Sequence, residues 1–322
     1  MEEFTEHFID TDEIDMHYTE GPDNGPPLVL IPSQGADLTT YEKVLPLFSE
    51  DFYVFAVDVR GHGKSDWATG NYTFNSIGGD MVALLEGVVK RPAIISGNSS
   101  GGLIALWLTA NRPDLVSAAI LEDPPLFSAE WPRIKEEYVY RVLQITVEMI
   151  EELRESRSIG GLARQFMKMK RPTKTGDMRS LPKSLAYLIS FLIRASQRLK
   201  SGRPSLPGRL GTMLKMMMTF DPDFSQAFLD GRIYEGLDHA DALQHAECPM
   251  LLLHANWHRH PDYGLIGAMD DDDARQAREL APDMQYKRID SDHVIHSHEP
   301  EVFVDQVREF VTSLPHFQAI SD

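Results

Sequence analysis

The sequence predicts an α/β fold: a mostly parallel, eight-stranded sheet flanked by helices, with a helical cap inserted after the sixth strand. Three observations carry this. Short apolar runs of strand length (28–31, 52–57, 93–95, 116–121 and 250–254) alternate with longer stretches of helical periodicity, as parallel strands buried on both faces require. From about residue 127 to 246 the alternation stops and helical patterns dominate. The residues with chemical potential cluster just after strands, where open α/β sheets bind ligands.

Residues 1–19 alternate loosely around a turn near Thr11 to Glu13, the pattern of an antiparallel hairpin at a sheet edge. Turn chemistry at 21–27 then leads into a buried strand, and Asp37 is placed to cap a helix running through Phe48. After the strand at 52–57 comes a polar, glycine-rich loop, Asp58-Val59-Arg60-Gly61-His62-Gly63-Lys64-Ser65. Ile77, Met81, Leu84, Leu85, Val88 and Val89 then recur at helical spacing. Pro124 and Pro125 end the strand at 116–121 and release the chain from the sheet.

Helical patterns at 138–153, 184–199 and 211–220 fill the insert, which divides the chain into a core of 1–126 with 247–322 and a cap of 127–246. Sheet signals resume at 250–254, followed by a polar loop over 255–270. The run Asp270 to Asp273 reads as a helix start, where acidic residues favour the macrodipole and the cap. A last strand at 284–289 and an amphipathic helix at 301–314 close the pattern.

Composition narrows the function classes. The chain has 322 residues, 42% of them hydrophobic and 25% charged, which is ordinary for a soluble globular protein. A formal net charge of −18 argues against nucleic acid or an anionic membrane as partner. One cysteine, Cys248, cannot form an intramolecular disulfide and fits a reducing compartment. The first residues lack the basic, apolar pattern of a signal peptide and no stretch reaches membrane-spanning length, so a cytoplasmic location is expected.

The chemistry centres on Gly97-Asn98-Ser99-Ser100-Gly101, a G-x-S-x-G sequence between a strand and an apolar helix. A plain Gly/Ser turn would join two buried elements equally well. In a nucleophile elbow, however, the serine takes a strained conformation that exposes its hydroxyl, and only small neighbours let strand and helix pass so closely. A serine nucleophile needs a histidine base and an orienting carboxylate, in the chain order Ser, acid, His. His293 follows the last strand and is the preferred base, with His296 and His298 as neighbouring competitors.

The acid is less determined. Its commonest place, the loop after 250–254, holds His258, with Asp262 and Asp270 further along. Glu122 at the end of the strand beside the nucleophile strand is preferred, and Asp123 is its nearest rival. For the oxyanion, the Ser100 N–H at the helix start and Gln34 in the loop after 28–31 are the expected donors.

Asp58-x-Arg60-Gly61-His62-Gly63-x-Ser65, the elbow, the helical insert and Asp292-His293-Val294-Ile295-His296 together resemble the α/β-hydrolase superfamily. More narrowly, residues 52–58, Lys90-Arg91-Pro92, the elbow and Glu122-Asp123-Pro124-Pro125 resemble bacterial zearalenone hydrolases, which are resorcylic-acid lactonases. That resemblance implies a serine-histidine-glutamate triad with Glu122 as its acid. It also implies a lactonase that needs neither cofactor nor metal and acts on a bulky apolar lactone or ester, with a zearalenone-type macrolactone foremost. A homodimer is compatible with this reading. A general carboxylesterase, a carbon–carbon bond hydrolase or a non-catalytic ligand receptor on the same fold are the alternatives.

Overall fold

The structure is a computed structural model that describes residues 4–173, 177–199, 208–281 and 283–315. Eight strands among the described residues form one sheet: β1 (Thr5–Asp10), β2 (Asp15–Glu20), β3 (Pro27–Ile31), β4 (Tyr53–Val57), β5 (Ala93–Asn98), β6 (Val116–Glu122), β7 (Met250–His254) and β8 (Met284–Arg288). Their spatial order is β1-β2-β4-β3-β5-β6-β7-β8. The pairs β1/β2 and β2/β4 are antiparallel, and every other neighbouring pair is parallel.

Strand alternation explains why the central runs are continuously apolar. Val29, Ile31, Ile95, Leu121 and Leu252 face one hydrophobic cluster, whereas Leu28, Leu30, Ile94, Ile120, Leu251 and Leu253 face the other. The first face is covered by α1 (Phe74–Leu84) and α2 (Ser100–Asn111). Thr73 caps α1 by accepting the Ser76 N–H. The second face is covered mainly by the C-terminal helix, through Phe303, Val304, Val307 and Phe310. The expected edge hairpin, the parallel core and the insert after β6 are all present.

Two local expectations differ. In place of one helix from Asp37 through Phe48, a 3₁₀ turn at Leu38–Tyr41 and a single α-turn at Leu45–Phe48 are found. Pro46 has no N–H to bond back to the preceding turn, so a continuous helix is interrupted there. The polar loop 255–270 contains a small antiparallel hairpin, His258–His260 with Gly264–Ile266.

The insert supplies α3 (Tyr138–Glu155), α4 (Ile159–Lys168), α5 (Lys183–Leu199), α6 (Gly208–Thr219), α7 (Pro222–Asp230) and α8 (His239–His245). It packs in two parts. Met149, Leu153, Leu162, Ala163, Phe166, Ala186, Ile193 and Leu214 form a cluster of their own, while Phe220, Phe224, Phe228, Ala242 and Leu243 join the main core. Cys248 is buried ahead of β7, and burial pushes its thiol up to about 12, as fits a packing residue. No described helix is long and apolar enough to cross a membrane.

Candidate active site

β5 ends at Asn98, and the next residue, Ser99, has φ 55° and ψ −117° before α2 begins at Ser100. That left-handed backbone is costly for a residue with a Cβ and is held by its surroundings. The Ser99 N–H donates to Glu122 O at 2.9 Å, and the Gly102 N–H donates to Ser99 O at 2.9 Å. A Cβ on Gly97 would run into the backbone of Gly101 and Gly102, and one on Gly101 into the carbonyls of Ile31 and Pro32. The two glycines are therefore steric requirements of the turn that carries Ser99.

The end of β6 places two carboxylates side by side in sequence and apart in space. His293 Nδ1 lies 2.7 Å from Asp123 Oδ2, while Asp123 Oδ1 accepts the Ala255 N–H at 3.0 Å. Asp123 is 1% exposed, and its own φ is 44°. His293 stays open to solvent, with 41% of its side chain accessible. Desolvation lowers the His293 pKa, but the Asp123 hydrogen bond and the charges of Asp123 and Glu122 outweigh it, so the imidazole is raised above 6.5.

The expected pairing of Glu122 with His293 is therefore corrected. Glu122 is fully buried with His296: the ring Nδ1 lies 2.8 Å from Oε2, and the His296 N–H donates to Oε1 at 2.9 Å. The far nitrogen, Nε2, lies 2.9 Å from Thr40 Oγ1, and the ring packs on Tyr41 with centroids 4.2 Å apart. The cause is backbone geometry. Glu122 is the last residue of β6, whereas Asp123 already lies beyond the strand with φ 44°, so the chain turns between them and sends the two carboxylates to different histidines.

The remaining candidates are engaged elsewhere. Asp270 caps the helix Asp271–Leu280 in a capping box with Asp273 and pairs with Arg259 at 2.6 Å. Asp262 is exposed beside His260, and its N–H donates to the His260 ring at 3.0 Å. His258 belongs to the small hairpin, and His298 is exposed. Among the described residues, no three His, Cys, Asp or Glu side chains gather to hold a metal ion.

Gln34 and Ser100, the expected oxyanion donors, do meet. The Gln34 N–H donates to Ser100 Oγ at 2.7 Å, so that hydroxyl anchors the loop after β3 onto the elbow. The Gln34 side chain, by contrast, reaches into the insert, where Nε2 donates to Ser225 Oγ on α7 at 2.6 Å. The Ser100 N–H, in the first turn of α2, belongs to a group of donors that a helix leaves without internal partners.

Three positioning residues were not singled out from the sequence. Asn98 Nδ2 donates to His293 O at 3.1 Å and to Glu122 O at 3.3 Å, tying the loop after β8 and the end of β6 to the elbow. His62 Nε2 accepts the Gly35 N–H at 3.0 Å, and Nδ1 donates to Arg60 O at 3.0 Å. Burial lowers its pKa to about 4, so it holds that loop as a neutral ring. Asp58 accepts the N–H groups of Leu38 and Lys64 and faces His17 Nδ1 at 2.8 Å. The polar loop 58–65 is thus a brace for the loop after β3, and the motif itself was the available signal.

The insert meets the same brace. Phe220 and Phe224 pack on the His62 ring, each with centroids 4.7 Å away.

A family described as alpha/beta hydrolase fold matches residues 26–213. The 3-oxoadipate enol-lactonase 2 of Acinetobacter baylyi is 31% identical over 119 residues, 36% of this chain and 45% of that protein. Lipase LipV of Mycobacterium tuberculosis is 36% identical over 83 residues, 26% of this chain and 31% of the lipase. The matched stretch thus spans less than half the length of either relative. Among solved structures, an enol-lactonase from Burkholderia xenovorans LB400 superposes with a TM-score of 0.60 at 19% identity, covering 95% of this chain and 100% of that one. The carboxylesterase CesB of Bacillus subtilis reaches a TM-score of 0.66 at 16% identity, covering 97% and 93%. These structural likenesses speak for the fold alone.

Proposed function

This chain belongs to the alpha/beta hydrolase fold family, and on that premise we propose a serine hydrolase that opens a lactone or ester of a bulky apolar substrate, foremost a zearalenone-type macrolactone. The observation that carries this reading is the Asp123–His293 pair, tied through the Asn98 side chain to the end of β5, where the strained Ser99 follows. The named enol-lactonase and lipase relatives support cleavage of a carboxylic ester bond, and the sequence resemblance to resorcylic-acid lactonases supports the finer substrate.

In this mechanism Ser99 Oγ attacks the carbonyl carbon while His293 Nε2 takes its proton. Asp123 keeps the other ring proton on Nδ1 and stabilises the imidazolium that forms. The negative oxygen is received by the N–H groups of Ser100 and Gln34. Since the Gln34 N–H already donates to Ser100 Oγ, the oxyanion competes for a donor held in place beforehand. The imidazolium gives its proton to the leaving alkoxide, and water, activated by the same base, releases the acid from Ser99. The segment 127–246 acts as a cap that sets substrate choice. Support for this comes from the Gln34–Ser225 bond and the packing of Phe220 and Phe224 on His62, which link the insert to the oxyanion loop.

The test is turnover of zearalenone and of a simple aryl ester by the wild type and by Ser99→Ala. Both substrates are expected to be cleaved by the wild type, with turnover by Ser99→Ala lower by about 10³-fold or more. Activity that survives in Ser99→Ala overturns the mechanism. Cleavage of the aryl ester alone keeps the mechanism and removes the macrolactone.

A further inference from the structure

Helix α5 is apolar on both sides. Ala186, Ile189 and Ile193 face inward, packing with Met149, Leu153, Leu162 and Phe166 of α3 and α4. On the opposite side, Leu185, Leu188 and Leu192 follow at positions i, i+3 and i+7, flanked by Tyr187 and Phe191. All five are exposed, Leu188 and Phe191 each at 53%. A helix on the surface of a soluble protein turns an apolar stripe inward and charge outward, so an outer stripe of this size calls for a cover.

Charge says what the cover is. Residues 133–215 hold 18 of the 31 Lys and Arg but 7 of the 49 Asp and Glu, so this stretch carries +11 and the rest of the chain −29. The total of −18, which argued against an anionic partner, averages two regions of opposite sign. α5 itself contains no Asp or Glu. Ahead of it, two short exposed strands place Arg171 and Arg179 opposite each other. Arg164 on α4 and Lys183 at the start of α5 are exposed as well.

We propose that α5 and its basic flank dock this protein on an anionic phospholipid bilayer. The apolar stripe enters the headgroup boundary, the arginines and lysine meet lipid phosphates, and the acidic body turns away from the surface. Charge disfavours a second copy on the same face, because a symmetric contact would bring two +11 segments together.

Sedimentation of the full chain with vesicles tests this, using phosphatidylcholine alone and an equal mixture with phosphatidylglycerol. About tenfold stronger binding to the mixed vesicles is expected, weakening at high salt. Leu188→Ser with Phe191→Ser should abolish binding while leaving the melting temperature unchanged. Arg171→Glu with Arg179→Glu should remove the preference for the anionic lipid. Ser99→Ala should bind like the wild type, which separates this proposal from the catalytic one. Wild-type protein left in the supernatant overturns the proposal, as does binding that survives the Leu188/Phe191 change. A dimer in light scattering that this change dissolves, without vesicle binding, assigns the face to a second copy instead.

Discussion

Asp123 Oδ2 lies 2.7 Å from His293 Nδ1, while the carboxylate one residue earlier is enclosed with a different histidine. Two neighbouring acids therefore have separable surroundings: buried Asp123 meets the partly exposed His293, and Glu122 belongs to a fully buried pair that fixes the start of the following turn, Ile295–His298.

Substitution separates them. Asp123→Asn is expected to lower kcat by about 10³–10⁴-fold, because an amide favours the wrong imidazole tautomer. Glu122→Gln should keep kcat within about tenfold and instead lower stability by about 1–3 kcal/mol, since it weakens a buried hydrogen-bonded pair. Steady-state kinetics and urea denaturation of both variants decide this. The opposite pattern would return the acid role to Glu122.

Ser99 carries backbone strain, with φ at 55°. Ser99→Gly should remove turnover and raise stability by about 1 kcal/mol, as relief of the left-handed conformation exceeds the entropic cost of glycine. The midpoint of urea unfolding measures it. An unchanged or lower midpoint would show that the elbow is not strained.

The raised His293 pKa predicts the acid limb of activity. In the proposed mechanism only the neutral ring accepts the serine proton, so kcat/KM should fall as pH drops through a value above 6.5. Burial opposes that shift and the neighbouring carboxylates cause it, so Glu122→Gln should move the limb to lower pH. A pH–rate profile of wild type and variant checks both the position and the direction.

His62 and His239 are buried and lowered to about 4 by desolvation. Between about 4 and 6.5 the unfolded chain binds protons that the folded one does not. Stability therefore falls as pH drops across that window, by on the order of 3 kcal/mol for each ring. His239 Nδ1 accepts the Phe127 N–H at 2.9 Å, a bond an asparagine oxygen can replace. His239→Asn should flatten the slope of unfolding free energy against pH, and an unaltered slope would refute the assignment.

Much of the site was legible because its parts are local. The G-x-S-x-G turn, a carboxylate at the end of β6 and a histidine after β8 each follow from a strand ending and a chain reversal. Asn98, His62 and Asp58 were not legible as braces. Their partners, His293, Gly35 and Leu38, lie 195, 27 and 20 residues away, and no periodicity encodes such pairs. The small hairpin at 258–266 was missed because its strands are three residues long, too short to show alternation.

By itself the sequence determined the α/β order, the insert after the sixth strand and the placement of Ser99 between β5 and α2, because apolar periodicity and small residues at a tight turn act over a few neighbouring positions. Only the tertiary structure decided which acid meets His293. Glu122 and Asp123 differ by one residue, but the strand ends between them and Asp123 takes φ 44°, a backbone reversal that no side-chain pattern announces. Which histidine each carboxylate meets depends on how the loop after β8 folds back over β6, a long-range contact fixed by packing and by the Asn98 bond to His293.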